Sequence, residues 1–148
     1  MFIVRTNAEN ADFVRLVAQL DADLKIRDGE EHGFYAQFNT IHKIKYAVVA
    51  YENEIALGCG AFREYSPDTI EIKRMYVCEN ARQKGIATKV LAELEKWAGE
   101  LNYSDCILET GKNQPEALGL YKKNRYSIIP NFGQYQNVEN SVCFKKKL

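Results

Sequence analysis

Tyr76-Val-Cys-Glu-Asn-Ala-Arg-Gln-Lys-Gly-Ile-Ala-Thr-Lys-Val-Leu91 joins two elements of different periodicity. It opens on the end of an apolar run, Ile70 to Val77, that reads as a strand. It closes in an amphipathic helix, with apolar residues at Ile86, Val90, Leu91, Leu94, Trp97 and Leu101. Between them lies Arg82-Gln83-Lys84-Gly85-Ile86-Ala87, small residues and cations at a helix start. A helix N-terminus leaves backbone N–H groups unpaired, and the aligned peptide dipoles add partial positive charge there. A turn open to close approach, flanked by Arg82 and Lys84, therefore suits a di- or triphosphate. Neither common nucleotide signature is present. There is no Gly-x4-Gly-Lys-Ser/Thr, and Gly58-Cys59-Gly60 is followed by Arg63 where a dinucleotide fingerprint has glycine.

Upstream of this stretch, Phe2 to Thr6 alternates as a first strand. Asn7 or Asn10 caps the following helix, whose apolar residues Phe13, Leu16, Val17, Leu20 and Leu24 recur at helical spacing. Asp28-Gly29 breaks that helix, and Gly33 to Phe38 reads as either a short second helix or a loop. Lys45 to Tyr51, Ile55 to Arg63 and Thr69 to Val77 form an antiparallel meander, turned at Glu52-Asn53-Glu54 and Ser66-Pro67-Asp68. Downstream, Asp105 to Thr110 is a short strand, so the central helix is a parallel crossover, right-handed by the general rule. A helix capped at Asn113 ends near Asn124, and Tyr126 to Ile129 and Ser141 to Lys146 read as two last strands. The order is β-α-(α)-β-β-β-α-β-α-β-β, in one domain over residues 1–148.

Arg82-x-x-Gly85-x-Ala87, in that order of elements, resembles the Arg/Gln-x-x-Gly-x-Gly/Ala signature of the GNAT superfamily, the acyl-coenzyme A-dependent N-acyltransferases. The resemblance runs from about residue 45 to the C-terminus and implies an α/β (α+β) fold, a mixed sheet of about seven strands flanked by about four helices. It also implies acetyl-CoA as cosubstrate, no metal, and direct attack by a primary amine of a small molecule.

Several positions take roles from that resemblance. Gln83, Lys84, Gly85, Ile86, Ala87 and Thr88, with Arg82, would carry the coenzyme pyrophosphate. The backbone of Met75, Tyr76 and Val77 would pair with the pantetheine amides as an added strand, and one N–H there, that of Val77, would serve the thioester oxygen. Glu71 matches the strand position of the general base in several GNAT enzymes, and would also contact the acceptor. An amine with a pKa near that of lysine, about 10, is almost all protonated at neutral pH, so a carboxylate is needed. Lys73 and Arg74 read as surface or ion-pair residues, though either could bind an acidic acceptor. Tyr121 stands in Ala117-Leu-Gly-Leu-Tyr121, similar to the family segment whose tyrosine protonates the leaving thiolate and contacts the coenzyme. Asn124-Arg125-Tyr126 departs from the family's glycine before an aromatic, with Asn124 tolerating the left-handed helix cap. Asn113 has a second role as a coenzyme contact. In the family's topology, Asp28 to Thr40 and Pro130 to Tyr135 flank the acceptor mouth, so Tyr35 and Tyr135 are expected against the substrate.

Composition narrows the alternatives. Lys+Arg and Asp+Glu both total 20, a balance that offers no footprint for nucleic acid or an anionic membrane. No apolar run approaches the roughly 20 residues of a membrane span, and Met1 to Thr6 lacks the apolar stretch of a signal peptide. Cys59, Cys78, Cys106 and Cys143 show no C-x-x-C pair, which argues against both a disulfide framework and zinc. The expectation is a cytoplasmic protein, with an exposed C-terminal strand edge suited to a homodimer. Two alternatives stay open: a protein or peptide acetyltransferase acting on lysine or N-terminal amines, and a non-catalytic acyl-CoA-binding module.

Overall fold

The computed structural model describes residues 1–29 and 43–148. Its strands are β1 (Phe2–Thr6), β2 (Tyr46–Glu52), β3 (Ile55–Ser66), β4 (Thr69–Val77), β5 (Asp105–Gly111), β6 (Ser127–Ile129) and β7 (Ser141–Lys147). They form one seven-stranded sheet in the order β1-β2-β3-β4-β5-β7-β6. The α-helices among the described residues are α1 (Ala11–Asp28), α2 (Ile86–Glu100) and α3 (Pro115–Lys123). Of the expected helices, the optional one at Gly33 to Phe38 lies outside the described residues.

β2, β3 and β4 form the antiparallel meander, and β1 adds to its edge antiparallel to β2. Asn53 and Glu54, both at positive φ (51° and 65°), make the tight β2–β3 turn that suits the right-handed twist of a hairpin. β4 and β5 run parallel across α2. The run Ala47-Val-Val-Ala50 is apolar without a break because both faces of β2 are covered. Val48 and Ala50 pack with Ile86, Val90, Leu91 and Leu94 of α2. Ala47 and Val49 pack with Phe13, Leu16 and Val17 of α1 on the other side. Fully burying each Val, Leu, Ile or Phe among them stabilises the fold by about 1.5–3 kcal/mol. Helix α2 sits tight on β3 at Gly60, where a Cβ would come within 2.8 Å of Leu94 Cδ1 and 2.9 Å of Val90 Cγ1.

Asn10, not Asn7, caps α1, accepting from the Phe13 N–H at 2.9 Å, and Gly29 at φ 56° ends the helix. β3 runs on to Ser66 rather than stopping at Arg63, because Arg63 and Glu64 pair in register with Glu71 and Ile70. The N-cap of α3 is Gln114 rather than Asn113, whose Nδ2 instead donates to Arg27 O at 3.3 Å. The left-handed residue after α3 is Arg125 (φ 72°), while Asn124 stays at φ −93° and donates its side-chain amide to Leu120 O at 2.8 Å. Asn124 therefore serves the helix end through both its side chain and its backbone N–H, which donates to Leu120 O at 3.0 Å, and the left-handed turn falls one residue later. None of the helices among the described residues is long and apolar enough to cross a membrane.

Candidate active site

β4 and β5 pair at Thr69↔Asp105, Ile70↔Cys106 and Glu71↔Ile107, and then part. A bulge in β4 accompanies the parting. Cys59 faces Tyr76 and Ala61 faces Lys73, so β4 carries one residue more than β3 over that interval. The extra residue is Arg74, at φ 61°. A bulge of this kind bends its strand and increases its twist. The left-handed backbone costs about 1–2 kcal/mol, and tertiary contacts hold it. Arg74 Nη1 lies 2.7 Å from Asp21 Oδ1 of α1, with the arginine side chain only 3% exposed. Arg74 is thus a buried ion-pair residue, not a surface one.

The parted strands open a cleft of about 680 Å³. α1, β4, residues 81–83 and 85–88, β5, α3 and Tyr135 of the 3-10 turn Gly133–Tyr135 line it.

One end of the cleft is the turn into α2. Gln83 (φ 65°) and Gly85 (φ 78°) both adopt left-handed backbone around Lys84. Gly85 is the N-cap, and no side chain caps the helix. A Cβ on Gly85 would meet nothing within 4 Å, so the space before the first-turn N–H groups of Ile86, Ala87 and Thr88 is open. Arg82, Gln83, Gly85, Ile86, Ala87 and Thr88 line the cleft. Lys84 is exposed and is not part of that lining. Arg82 Nε donates to Val77 O at 3.0 Å and its guanidinium lies 5.7 Å from the Tyr76 ring centroid, tying the turn to the end of β4.

Met75, Tyr76 and Val77 line the cleft along the open edge of β4. The Cys78 N–H donates to Leu57 O of β3 at 2.8 Å. Backbone direction alternates along a strand, so the preceding Val77 N–H turns the other way, into the split.

At the other end, Glu71, Lys73, Glu109, Tyr121 and Tyr135 line one space. Glu71 is 1% exposed. Arg63 Nε and Nη2 lie 2.9 and 2.8 Å from its Oε1, and Lys73 Nζ lies 4.0 Å from its Oε2. Glu109, on the opposite side of the split, accepts from Ser141 Oγ at 2.7 Å. Burial, opposed by Glu71, pulls the Lys73 ammonium below the ordinary lysine value. Burial first, and then the charge of Glu109, pushes the Tyr121 phenol well above the ordinary tyrosine value. Tyr135 is raised in the same way, with Glu109 and Glu71 adding to the burial. Both hydroxyls therefore keep their protons throughout the physiological range and stay hydrogen-bond donors. Tyr121 is held by the Tyr126 and Phe144 rings at 5.6 and 5.8 Å, and Phe132 packs edge-on to Tyr135 at 5.8 Å.

Glu71, Tyr121 and Tyr135 thus share the cleft with Met75–Val77 and most of the turn. Asn113 is not among the lining residues; its neighbour Gln114 is. Tyr35, with the rest of residues 30–42, lies outside the described residues. Cys78, whose Sγ sits 3.6 Å from Gln19 Oε1, does not line the cleft either. Sequence reasoning passed over Glu109, and left Lys73 as either a surface or ion-pair residue or a binder of an acidic acceptor. The signal for Glu109 was a lone carboxylate inside the apolar run Cys106-Ile-Leu-Glu109. Among the described residues, no three His, Cys, Asp or Glu side chains converge as metal ligands.

Residues 14–125 match the family described as Acetyltransferase (GNAT) family. The chain is 30% identical over 138 residues to the IAA acetyltransferase of Azospirillum brasilense, covering 91% of this chain and 90% of that one. A solved structure from Klebsiella pneumoniae, assigned as an acyl-CoA N-acyltransferase, superposes with a TM-score of 0.83 at 28% identity, over 99% and 97% of the two chains. The PaiA N-acetyltransferase of Thermoplasma acidophilum, solved with coenzyme A, shares the fold at a TM-score of 0.73 and 17% identity, over the whole of both chains.

Proposed function

Since the chain belongs to the acetyltransferase (GNAT) family of acyl-CoA-dependent N-acetyltransferases, we propose that it acetylates a primary amine of a small molecule by direct attack of that amine. The observation that carries this reading is a cleft that joins an anion-suited helix start to a buried carboxylate and two protonated phenols. The Azospirillum relative, named for one compound, supports a small acceptor.

The residues present fit acetyl-CoA. The space over Gly85 and the first-turn N–H groups suit the pyrophosphate, and the open edge of β4 at Met75–Val77 suits the pantetheine amides. When bound, acetyl-CoA supplies an activated acyl thioester. The Val77 N–H is a donor for its carbonyl oxygen. Glu71, fixed through Oε1 by Arg63, presents Oε2 to take the proton from the acceptor ammonium, directly or through water. Tyr121, its proton kept by burial, gives it to the departing sulfur. A thiol's pKa is about 8.5 against about 10 for an unperturbed phenol, so the transfer depends on positioning.

The test is thiol release from acetyl-CoA against amino acids, polyamines, aminoglycosides and peptides. Turnover of small amines supports the proposal, and a peptide outpacing every small amine refutes it. Within that assay, Tyr121→Phe keeps the ring packing and removes the hydroxyl. A loss of about 100- to 10,000-fold in turnover is expected, and near-full turnover with chemistry rate-limiting would remove Tyr121 from the role.

A further inference from the structure

Helices α1 and α3 are joined across the split between β4 and β5. Contacts along α1 move from strand to strand. Asp12 accepts from Tyr51 of β2 at 2.7 Å, Asp21 meets Arg74 of β4 at 2.7 Å, and Arg27 pairs with Glu116 of α3, the helix after β5. The last turn of α1 therefore lies over the gap where β4 and β5 part. The two helices cover opposite faces of the sheet. Phe13, Leu16 and Val17 of α1 pack with Ala47 and Val49, whereas Ala117, Leu120 and Tyr121 of α3 pack in the cluster built on α2. A contact between them has to pass across the split, and Asp23, Arg27, Gln114 and Glu116 all line the cleft.

Arg27 holds Glu116 through Nη2 and Asp23, one turn earlier on α1, through Nε at 3.2 Å. Asn113 Nδ2 donates to Arg27 O at 3.3 Å, serving a carbonyl of the last turn, where a helix leaves its carbonyls without internal partners. The hydrogen bond with Glu116 raises the Arg27 guanidinium above its ordinary value, and the same bond holds the Glu116 carboxyl below its own. Arg82 adds a weaker field at Glu116. The two side chains are 22% and 50% exposed, and an ion pair so exposed is cheap to open.

In the coenzyme placement given above, the phosphates lie at the start of α2 and the thioester reaches Glu71. Ile70 and Ile72 pack with α2, so Glu71 between them points to the face of α1. The pantetheine arm, along Met75–Val77, then passes from one face of the sheet to the other through the split, beneath the contact of α1 with α3. We propose that the Arg27–Glu116 pair, with Asn113 on the Arg27 carbonyl, is a strap that opens to admit the coenzyme and closes over its pantetheine arm. The inference rests on that placement of the coenzyme. Arg27 and Glu116 are positioning residues in it, holding the arm away from the reacting atoms.

The test is dissociation of adenine-labelled coenzyme A from the intact chain, chased with unlabelled coenzyme in a stopped-flow instrument. Arg27→Gln and Glu116→Gln, on opposite sides of the split, should each release it about two- to fivefold faster, as loss of an exposed pair gives. The double variant should be no faster than the singles, because the pair is broken only once. From about 0.05 to about 0.5 M salt the ratio of variant to native rate should fall toward one, since salt screens the native pair. Affinity for the phosphorylated nucleotide moiety alone, which has no arm to pass under the strap, should be equal in all four proteins. A native rate in either single variant, or single effects that multiply in the double, would overturn the strap. Equal weakening of the nucleotide moiety would also overturn it, and make the pair a support of the phosphate site. Failure of the native chain to bind coenzyme A would defeat the placement itself, and the strap with it.

Discussion

Arg63→Met keeps a long apolar stem and removes the guanidinium from Glu71. In the native protein that guanidinium places two N–H donors, at 2.9 and 2.8 Å, on one oxygen of a carboxylate whose side chain is 2% exposed. Leaving a buried charge wholly without its partner costs about 3–5 kcal/mol. Two features reduce that figure. Lys73 Nζ remains 4.0 Å from the other oxygen, and the Arg63 side chain is 50% exposed, so water follows the guanidinium out. The expected loss is therefore that of a charge-assisted hydrogen bond, about 1.5–3 kcal/mol. Urea unfolding at pH 7 measures it for Arg63→Met, Glu71→Gln and the double variant. With Glu71 already neutral, removing Arg63 should cost much less, so the cycle should show coupling of about 1 kcal/mol or more. A single-variant loss below about 0.5 kcal/mol, or single losses that simply add, would refute the view that Arg63 fixes Glu71.

Other perturbations follow from the same geometry. Gly85→Glu puts a carboxylate into the open space over the α2 start and strains a left-handed residue by about 1–2 kcal/mol. Calorimetry should show acetyl-CoA affinity lost in protein still folded by circular dichroism, and unchanged affinity would move the pyrophosphate elsewhere. Arg125→Gly relieves the left-handed residue after α3 and should raise stability by about 1 kcal/mol, or about 2–4 °C in Tm. An unchanged or lower Tm would deny that the position is strained. Burial pushes Cys59 and Cys106 up to about 12 and Cys143 up to about 11. At pH 8 their thiolate fractions are then about one in ten thousand for the first two and one in a thousand for the third. Native protein should show one fast thiol toward an alkylating reagent, the half-buried Cys78, and three released by denaturant. A second fast thiol would contradict the burial.

The local elements were legible in the residues because their signals are short-range. Asn10 and Gly29 bracket α1, Asn53-Glu54 turns β2 into β3, and the spacing from Ile86 to Ala98 places α2 against the sheet. The turn at Arg82–Ala87 announced itself in the same way, since a helix start after a strand needs no distant partner to expose its N–H groups. Where a short-range signal was ambiguous, neighbours decided it. Asn113 looks like a cap, yet its side chain turns to Arg27 O at the end of α1. Other features depend on pairings between residues far apart in the chain. β7 inserts between β5 and β6, which brings Ser141 to Glu109. The Arg74 bulge exists because β4 must follow β3 while its guanidinium reaches Asp21 across the core. Lys73 and Glu109 come to one level on the same face of the sheet only because Glu71 and Ile107 are in register, and register follows from how whole strands bury their faces. Periodicity along the chain therefore determined which elements form, and the tertiary pairing of strands decided which charges meet in the cleft.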